Sequence, residues 1–301
     1  FLSFLFLDTV AHQGLPQRYD PFTEPPYIKY LKNENDGYWR VMGDTSALMP
    51  NWASAFEISD LRYHVGMGVP FWYDYFRKNN LESAIDNVPT FRHWFTGESY
   101  TKTEPSIKHF EIKKDLCPSM STSEFLNLGK YDRVEDRIRM QLPFYSLLGV
   151  KYILTNTPEA DFNKNIEKES SLYFPQIYGG EINIFENRSV LPRAFIVYDA
   201  KYASSFLEAQ DMLQEKGFDL RQKVVLEEKL PPNAFLGPED KNSAFISDYS
   251  YNKVTIKAES DTPGILVLSD VFYPGWSAKI DGKPAKVYRI DGLARGVYLP
   301  A

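Results

Sequence analysis

Cysteine is almost missing from this sequence. Cys117 stands alone among 301 residues, which excludes an intramolecular disulfide framework and any cysteine-rich zinc site. Histidine is nearly as scarce: His12, His64, His93 and His109 lie far apart, and none has another three or four positions away. Zinc spacing is therefore absent, and each histidine reads as a packing or surface residue. A surplus of positive charge is missing too. Lys and Arg number 34 against 40 Asp and Glu, for a net charge of −6, which argues against nucleic acid as a partner. No P-loop, G-x-S-x-G elbow, G-x-G-x-x-G or EF-hand pattern occurs. Gly66-Met67-Gly68 opens like a glycine loop but lacks the third glycine.

What is present is aromatic. Phe, Trp and Tyr make up 15% of the chain, too high a share for a disordered one, and 301 residues suit two domains. The segment Phe1 to Leu7 has six apolar residues in seven, far short of the roughly 20 that span a bilayer. It reads either as a buried first element or as the tail of a membrane helix. Residues 13–26 carry Gly14, Pro16, Pro21, Pro25 and Pro26 and read as an extended connector.

Residues 27–190 mix helical and strand patterns and predict an α/β-type domain. A short helix is expected over Tyr27–Leu31, and strands over Tyr38–Met42, Gly149–Thr155 and Glu181–Glu186. Helical patterns are expected over Phe71–Lys78 and Leu81–Ile85. The mixed charge run Lys130–Arg139 predicts a solvated helix face.

A boundary is expected near Ser189–Pro192. Ala194–Tyr198 then reads as a strand, and Ser205 with Glu208 as a capping box for a helix that Gly217 would stop. After Lys223 the period turns to two, as in Val254, Ile256 and Ala258. Ile265–Leu268 is apolar on both faces, like a central strand. Asp281-Gly282 and Asp291-Gly292 supply the residues of type I′ hairpin turns. Residues 191–301 are thus expected to form an antiparallel β-sandwich, jelly-roll or Ig-like, with one N-terminal helix. The fold class predicted for the whole chain is mixed α+β.

Two aromatic clusters hold the candidate ligand-binding residues: Trp72, Tyr73 and Asp74, and His93, Trp94 and Glu98. Tyr273 and Trp276 form a third, smaller platform. Flat rings beside carboxylates are the groups that bind sugars, although rings also dominate protein cores. For Tyr273-Pro274-Gly275-Trp276 the structural alternative is a turn that buries Trp276. Asp74, Glu98 and Glu104 are the carboxylates available for a glycosidase pair, whose separation a sequence does not disclose. Arg193 and Arg295 are candidates for a carboxylate or phosphate partner, with a structural ion pair as the alternative. Asn187-Arg188-Ser189 matches a glycosylation sequon. No catalytic, cofactor-binding or metal-ligating residue is assigned.

Several strings then stand in a specific order and spacing: Leu191-Pro192-Arg193-Ala194-Phe195, Leu266-Val267-Leu268-Ser269-Asp270, Tyr273-Pro274-Gly275-Trp276, Tyr288-Arg289 and Arg295-Gly296-Val297. Upstream, Tyr38-Trp39-Arg40-Val41 and Leu147-Leu148-Gly149-Val150-Lys151-Tyr152 fit the same pattern. Together they resemble the C-terminal extracytoplasmic region of YfhO-like bacterial polytopic membrane proteins. The resemblance is dense over residues 190–301, thinner before that, and weakest over 61–145.

It implies a full-length protein similar to GT-C-type glycosyltransferases, which decorate cell-envelope polymers with sugars from polyprenyl-phosphate donors and use a divalent metal. It also implies a location on the extracytoplasmic face of the bacterial membrane. The region present here would be non-catalytic, without a cofactor of its own. Its partners would be its own transmembrane domain and a cell-envelope glycopolymer. Residues 1–7 would be the tail of a membrane helix, and the sandwich would continue beyond Ala301 with one more strand. The alternatives are a secreted carbohydrate-binding protein and a glycoside hydrolase.

Overall fold

The computed structural model describes residues 23–34, 38–43, 47–48, 52–62, 75, 138–139, 141–215, 217–239 and 241–300. It is an α+β structure in which strands predominate, arranged in several sheets. Helix α1 (Pro26–Asn33) begins with proline, whose missing N–H costs nothing in a first turn, and it buries Tyr27, Ile28 and Leu31. The first sheet joins β1 (Arg40–Gly43), β2 (Val150–Thr155), β3 (Gln176–Gly179) and β4 (Asn183–Glu186) in the order β1-β2-β4-β3. β1 runs parallel to β2, while β4 is antiparallel to both β2 and β3. Short helices α2 (Trp52–Ala55), α3 (Leu142–Leu147) and α4 (Glu159–Phe162) flank these strands in the chain.

The second sheet has six strands, drawn from residues 194–299. They are β5 (Ala194–Val197), β6 (Asp199–Tyr202), β7 (Lys223–Leu226), β10 (Gly264–Val271), β13 (Tyr288–Ile290) and β14 (Ala294–Leu299). Their order is β5-β10-β14-β13-β7-β6, antiparallel throughout except for the parallel pair β6–β7. Helix α5 (Phe206–Leu213) makes the crossover between that parallel pair. Its cap follows the expected box with a shift. Ser205 accepts from the Glu208 N–H at 3.2 Å, but the Glu208 carboxylate reaches back to the Ser204 N–H at 2.6 Å. The helix ends at Leu213, four residues before Gly217, the expected stop. Hairpins β8–β9 (Asn242–Ser250, Lys253–Ser260) and β11–β12 (Ala278–Ile280, Lys283–Ala285) complete the described strands.

Strand alternation assigns the core to three layers. Met42, Ile153 and Phe185 of the first sheet share one buried cluster with Val225 of the second and with Leu293 in the turn before β14. Their sequence neighbours point the other way. Val41, Tyr152, Leu154 and Ile184 pack with Ile28 and Leu31 of α1, while Val224 and Leu226 pack with Ile265, Val267 and Ile290. Both sheets are therefore covered on two faces, and the middle cluster joins them. Each large apolar side chain buried in this way stabilises by about 1.5–3 kcal/mol.

One expectation is overturned. Arg139, read as part of a solvated face, is fully buried. Its guanidinium donates to the Leu172 carbonyl (3.0 Å), the Phe162 carbonyl (2.8 Å) and Asn163 Oδ1 (3.0 Å), and it stacks over the rings of Phe162 and Phe174. Local charge density predicts solvent, but hydrogen bonds to carbonyls and stacked rings offset part of the cost of burying this guanidinium. Residues 130–137 lie outside the described residues, as does the rest of the helical pattern at 71–85 apart from Tyr75.

Candidate functional site

β10 is apolar on both faces from Ile265 to Leu268 and then runs into Ser269-Asp270. Asp270 is only 4% exposed, and a buried carboxylate persists only when paired. Three guanidiniums meet it. Arg193 Nη2 and Arg40 Nη2 (2.9 Å) bind Oδ1, and Arg295 Nη2 binds Oδ2 at 2.7 Å. The Tyr249 hydroxyl donates to Oδ2 at 3.0 Å.

These partners come from separate parts of the fold. Arg40 opens β1 in the first sheet, Arg193 precedes β5, Arg295 lies on β14 and Tyr249 on β8. Arg40 Nη1 adds bonds to the carbonyls of Leu148 and Ser269, so one side chain ties β10 to the loop before β2. Gly149, at φ +71°, lets that loop pass close by, because a Cβ there would sit 2.8 Å from Arg193 Cδ.

Two backbone irregularities aim the cluster. The β1–β2 register shifts between Arg40 and Val41, and the β10–β14 register shifts between Leu268 and Val271. Such breaks turn side chains out of the regular alternation. Aromatic rings then cover the guanidiniums. Arg295 lies 4.0 Å over the Trp276 ring and Arg193 5.4 Å over Tyr249, which in turn meets Tyr38 at 5.2 Å.

Three guanidiniums on one carboxylate leave an excess of positive charge. Burial pushes the Asp270 carboxyl up, but Arg193, Arg40 and Arg295 together outweigh it and hold it below its ordinary range. Burial, with Arg193 nearby, brings Arg40 down to about 10 against the pull of Asp270. Burial also lowers Arg295.

Beside this cluster, where the two sheets meet, is a partly open cavity of about 170 Å³. Its polar lining comprises Arg40, Asp60, Tyr75, Ser269, Asp270 and Asp291. Leu147, Leu148, Val271 and Leu293 supply aliphatic walls.

Asp291 is the unusual member. It occupies the first central position of the β13–β14 turn at φ +55°, fully buried. Its Oδ1 accepts from the Val225 N–H at 2.7 Å, while Oδ2 is buried without a partner. Burial pushes this carboxyl up to about 7, opposed by the Val225 bond. Ser269 Oγ is likewise buried and unpartnered. Tyr75, fully buried, has its hydroxyl raised well above the ordinary range by burial and then by Asp291. Asp60 is already committed to Arg62 at 2.8 Å.

Of the sequence-predicted site residues, Trp72, Tyr73, Asp74, His93, Trp94 and Glu98 lie outside the described residues, as does Glu104. Tyr273 is 54% exposed, and the turn it begins, with Gly275 at φ +107°, leaves Trp276 half-buried under Arg295. Arg193 and Arg295 share one carboxylate. The sequon at Asn187 is closed in this fold, since the amide is buried and donates to Ser146 Oγ and the Val150 carbonyl. Arg40, Asp270 and Asp291 were not among the predicted site residues. The available signal for Asp270 was an acid at the end of a strand that is apolar on both faces.

Among the described residues, no group of three or more His, Cys, Asp or Glu is placed to hold a metal ion. No described helix is long and apolar enough to cross a membrane. Compared with known proteins, the chain matches no family model, no curated protein and no solved structure.

Chemically, Asp270 is spent: its two oxygens carry four charged or hydroxyl partners, which leaves it a poor base or nucleophile. The Asp291 carboxyl keeps one oxygen, Oδ2, buried without a partner.

Proposed function

We propose that this chain is a non-catalytic extracytoplasmic region of a YfhO-like membrane protein of the GT-C glycosyltransferase kind. It holds a cell-envelope glycopolymer, the lipid-linked donor or its own membrane core in register for sugar transfer. Donor chemistry and the divalent metal belong to the membrane part. Within this reading, residues 27–190 form an α/β-type domain and 191–301 a β-sandwich domain. The antiparallel pairing of β5, β10, β14 and β13 supports the second assignment, and the parallel pair β6–β7 is a departure from it.

One observation carries the proposal. The strings on which the resemblance rests are scattered along the sequence, yet Arg40, Arg193, Asp270, Trp276 and Arg295 from five of them converge on a single buried cluster. A shared framework, more than a shared reactive centre, is what such convergence on a saturated carboxylate supports. Tyr273 and the open face of Trp276 lie at its edge as a platform for sugar rings.

The test uses the full-length protein in membranes supplied with a polyprenyl-phosphate sugar. Tyr273→Ala with Trp276→Ala is expected to lower transfer to the polymer at least tenfold and leave donor cleavage within twofold. Equal loss of both activities would end the positioning role. Hydrolysis of aryl glycosides by the isolated chain, abolished by Asp291→Asn, would make the chain itself the enzyme.

A further inference from the structure

We infer that the chain pairs with a second copy of itself along the outer edge of β9, in an antiparallel, two-fold register centred on Ile256. β9 pairs with β8 alone among the described strands, and β8 in turn lies against β5. In the two larger sheets, β3 and β6 are edges of only four residues each, and β1 is covered by residues 59–61. β9 has eight residues and no proline, and the bulge of its hairpin falls on β8, between Ile246 and Asp248. A long, regular edge without proline is a template for another strand.

The backbone points the right way. Ser247 Oγ donates to the Thr255 carbonyl at 3.3 Å and Ser250 Oγ to the Lys253 carbonyl at 3.1 Å, so these carbonyls face β8. Carbonyls alternate in direction along a strand, which turns those of Val254, Ile256 and Ala258, with their N–H groups, to the outer edge.

Side chains select the partner. Val254, Ile256 and Ala258 lie on a half-buried face, outside the three buried clusters, and Lys253, Thr255, Lys257 and Glu259 lie on the exposed one. In the register centred on Ile256, Lys253 faces the partner's Glu259, Val254 faces the partner's Ala258, and Ile256 meets its own counterpart. Sliding the copies by two residues sets Lys253 against Lys257 in one direction and Lys257 against itself in the other. A slide of one residue puts apolar side chains opposite charged ones. Charge therefore favours one register, and the two-fold axis makes its attractive pair occur twice. A two-stranded ribbon is marginal alone, and the pairing joins two of them into one four-stranded sheet. The inference stands apart from the membrane reading and from the Tyr273–Trp276 platform.

The test is sedimentation of the full chain from about 1 to about 300 µM, the range of weak affinities open to a single strand pair. A monomer–dimer equilibrium is expected within it. Lys253→Glu and Glu259→Lys each create two like-charged pairs and should weaken the dimer at least about tenfold. The double exchange should restore it to within about threefold of the parent. Both positions are exposed, so the variants should keep the fold. Lys279→Glu, the same charge change on an exposed residue of β11, should leave the dimer unchanged. Hydrogen exchange gives a second reading: the Val254, Ile256 and Ala258 amides should slow as concentration rises, while those of Thr255 and Lys257 stay constant. A chain still monomeric at about 300 µM overturns the proposal. So does a dimer indifferent to the single variants or not rescued by the double one. Slow exchange at Ile256 in a monomer would mean that another segment of the chain covers the edge, and would overturn it too.

Discussion

Arg40 and Asp270 are 230 positions apart in the sequence and 2.9 Å apart in space, and each stands at a register break of its strand. The breaks are what allow the meeting. In an unbroken pleat Arg40 and Asp270 would follow the alternation of their neighbours and point into the apolar layers. Turned aside, they close the end of the core that the two sheets share, and Arg193 and Arg295 complete the pairing from the second sheet.

Removing the carboxylate should hurt more than removing any one arginine. Asp270→Ala strands two buried guanidiniums and that of Arg40, which is 15% exposed, and a loss of about 3–5 kcal/mol is expected. Urea unfolding measures it. A double-mutant cycle with Arg40→Ala should return a coupling of about 1–3 kcal/mol between the sheets. A loss under about 1 kcal/mol for Asp270→Ala would show that the cluster does not close the core.

Two aspartates impose opposite pH dependences. Asp270, held below its ordinary 3.8, contributes stability that is present above that value and lost as the pH falls through its folded pKa. Asp291 is raised from 3.8 to about 7. Its folded form retains a proton that the unfolded chain releases, so stability declines as the pH climbs from about 4 to about 7, by at most about 4 kcal/mol. Asp291→Asn should abolish that decline, making the variant more stable than the parent at pH 8 but not at pH 4. Unfolding curves at the two pH values decide it, and parallel behaviour of the two proteins would refute the assignment.

The two Asp-Gly turns should respond differently to the same substitution. Gly282 (φ +81°) has open space around it, so Gly282→Ala should cost only the backbone strain of about 1–2 kcal/mol. A Cβ on Gly292 (φ +73°) would lie 2.1 Å from Gln210 Nε2 and 3.0 Å from Phe206. Gln210 is buried and donates to the Asp291 carbonyl, so it has little room to retreat. Gly292→Ala should cost at least about 1 kcal/mol more than Gly282→Ala, read as the larger drop in melting temperature.

Arg139→Lys tests the buried guanidinium. An ammonium cannot reproduce the fork that reaches Leu172, Phe162 and Asn163 while stacking on two rings. A loss of about 1–3 kcal/mol is expected on thermal unfolding, comparable to other broken charged hydrogen bonds. Lys201→Ala, which breaks an exposed pair with Glu215, should change stability by less than about 0.5 kcal/mol.

Local patterns carried a large part of the fold. Alternation marked β9, a doubly apolar run marked β10, the Ser205–Glu208 spacing marked the start of α5, and two Asp-Gly pairs marked hairpin turns with both central residues at positive φ. Each of these depends on neighbours within a few residues, so a sequence displays them directly. The functional cluster was less legible. Arg193 and Arg295 stood out as guanidiniums in search of an anion, but nothing adjacent named Asp270 as that anion or brought in Arg40. Arg139 was misread for the same reason, since its partners Phe162, Asn163 and Leu172 are supplied by a distant segment.

The Asp-Gly turns show where the division falls. By itself the sequence determined their backbone, because Asp tolerates and Gly favours the left-handed region that a tight hairpin requires. Only the tertiary structure decided that Asp281 faces water while Asp291 is buried against Val225 of β7 with one oxygen unpaired. Backbone conformation follows from short-range sterics. Burial, and with it charge state and chemistry, follows from which surfaces are brought together across hundreds of residues.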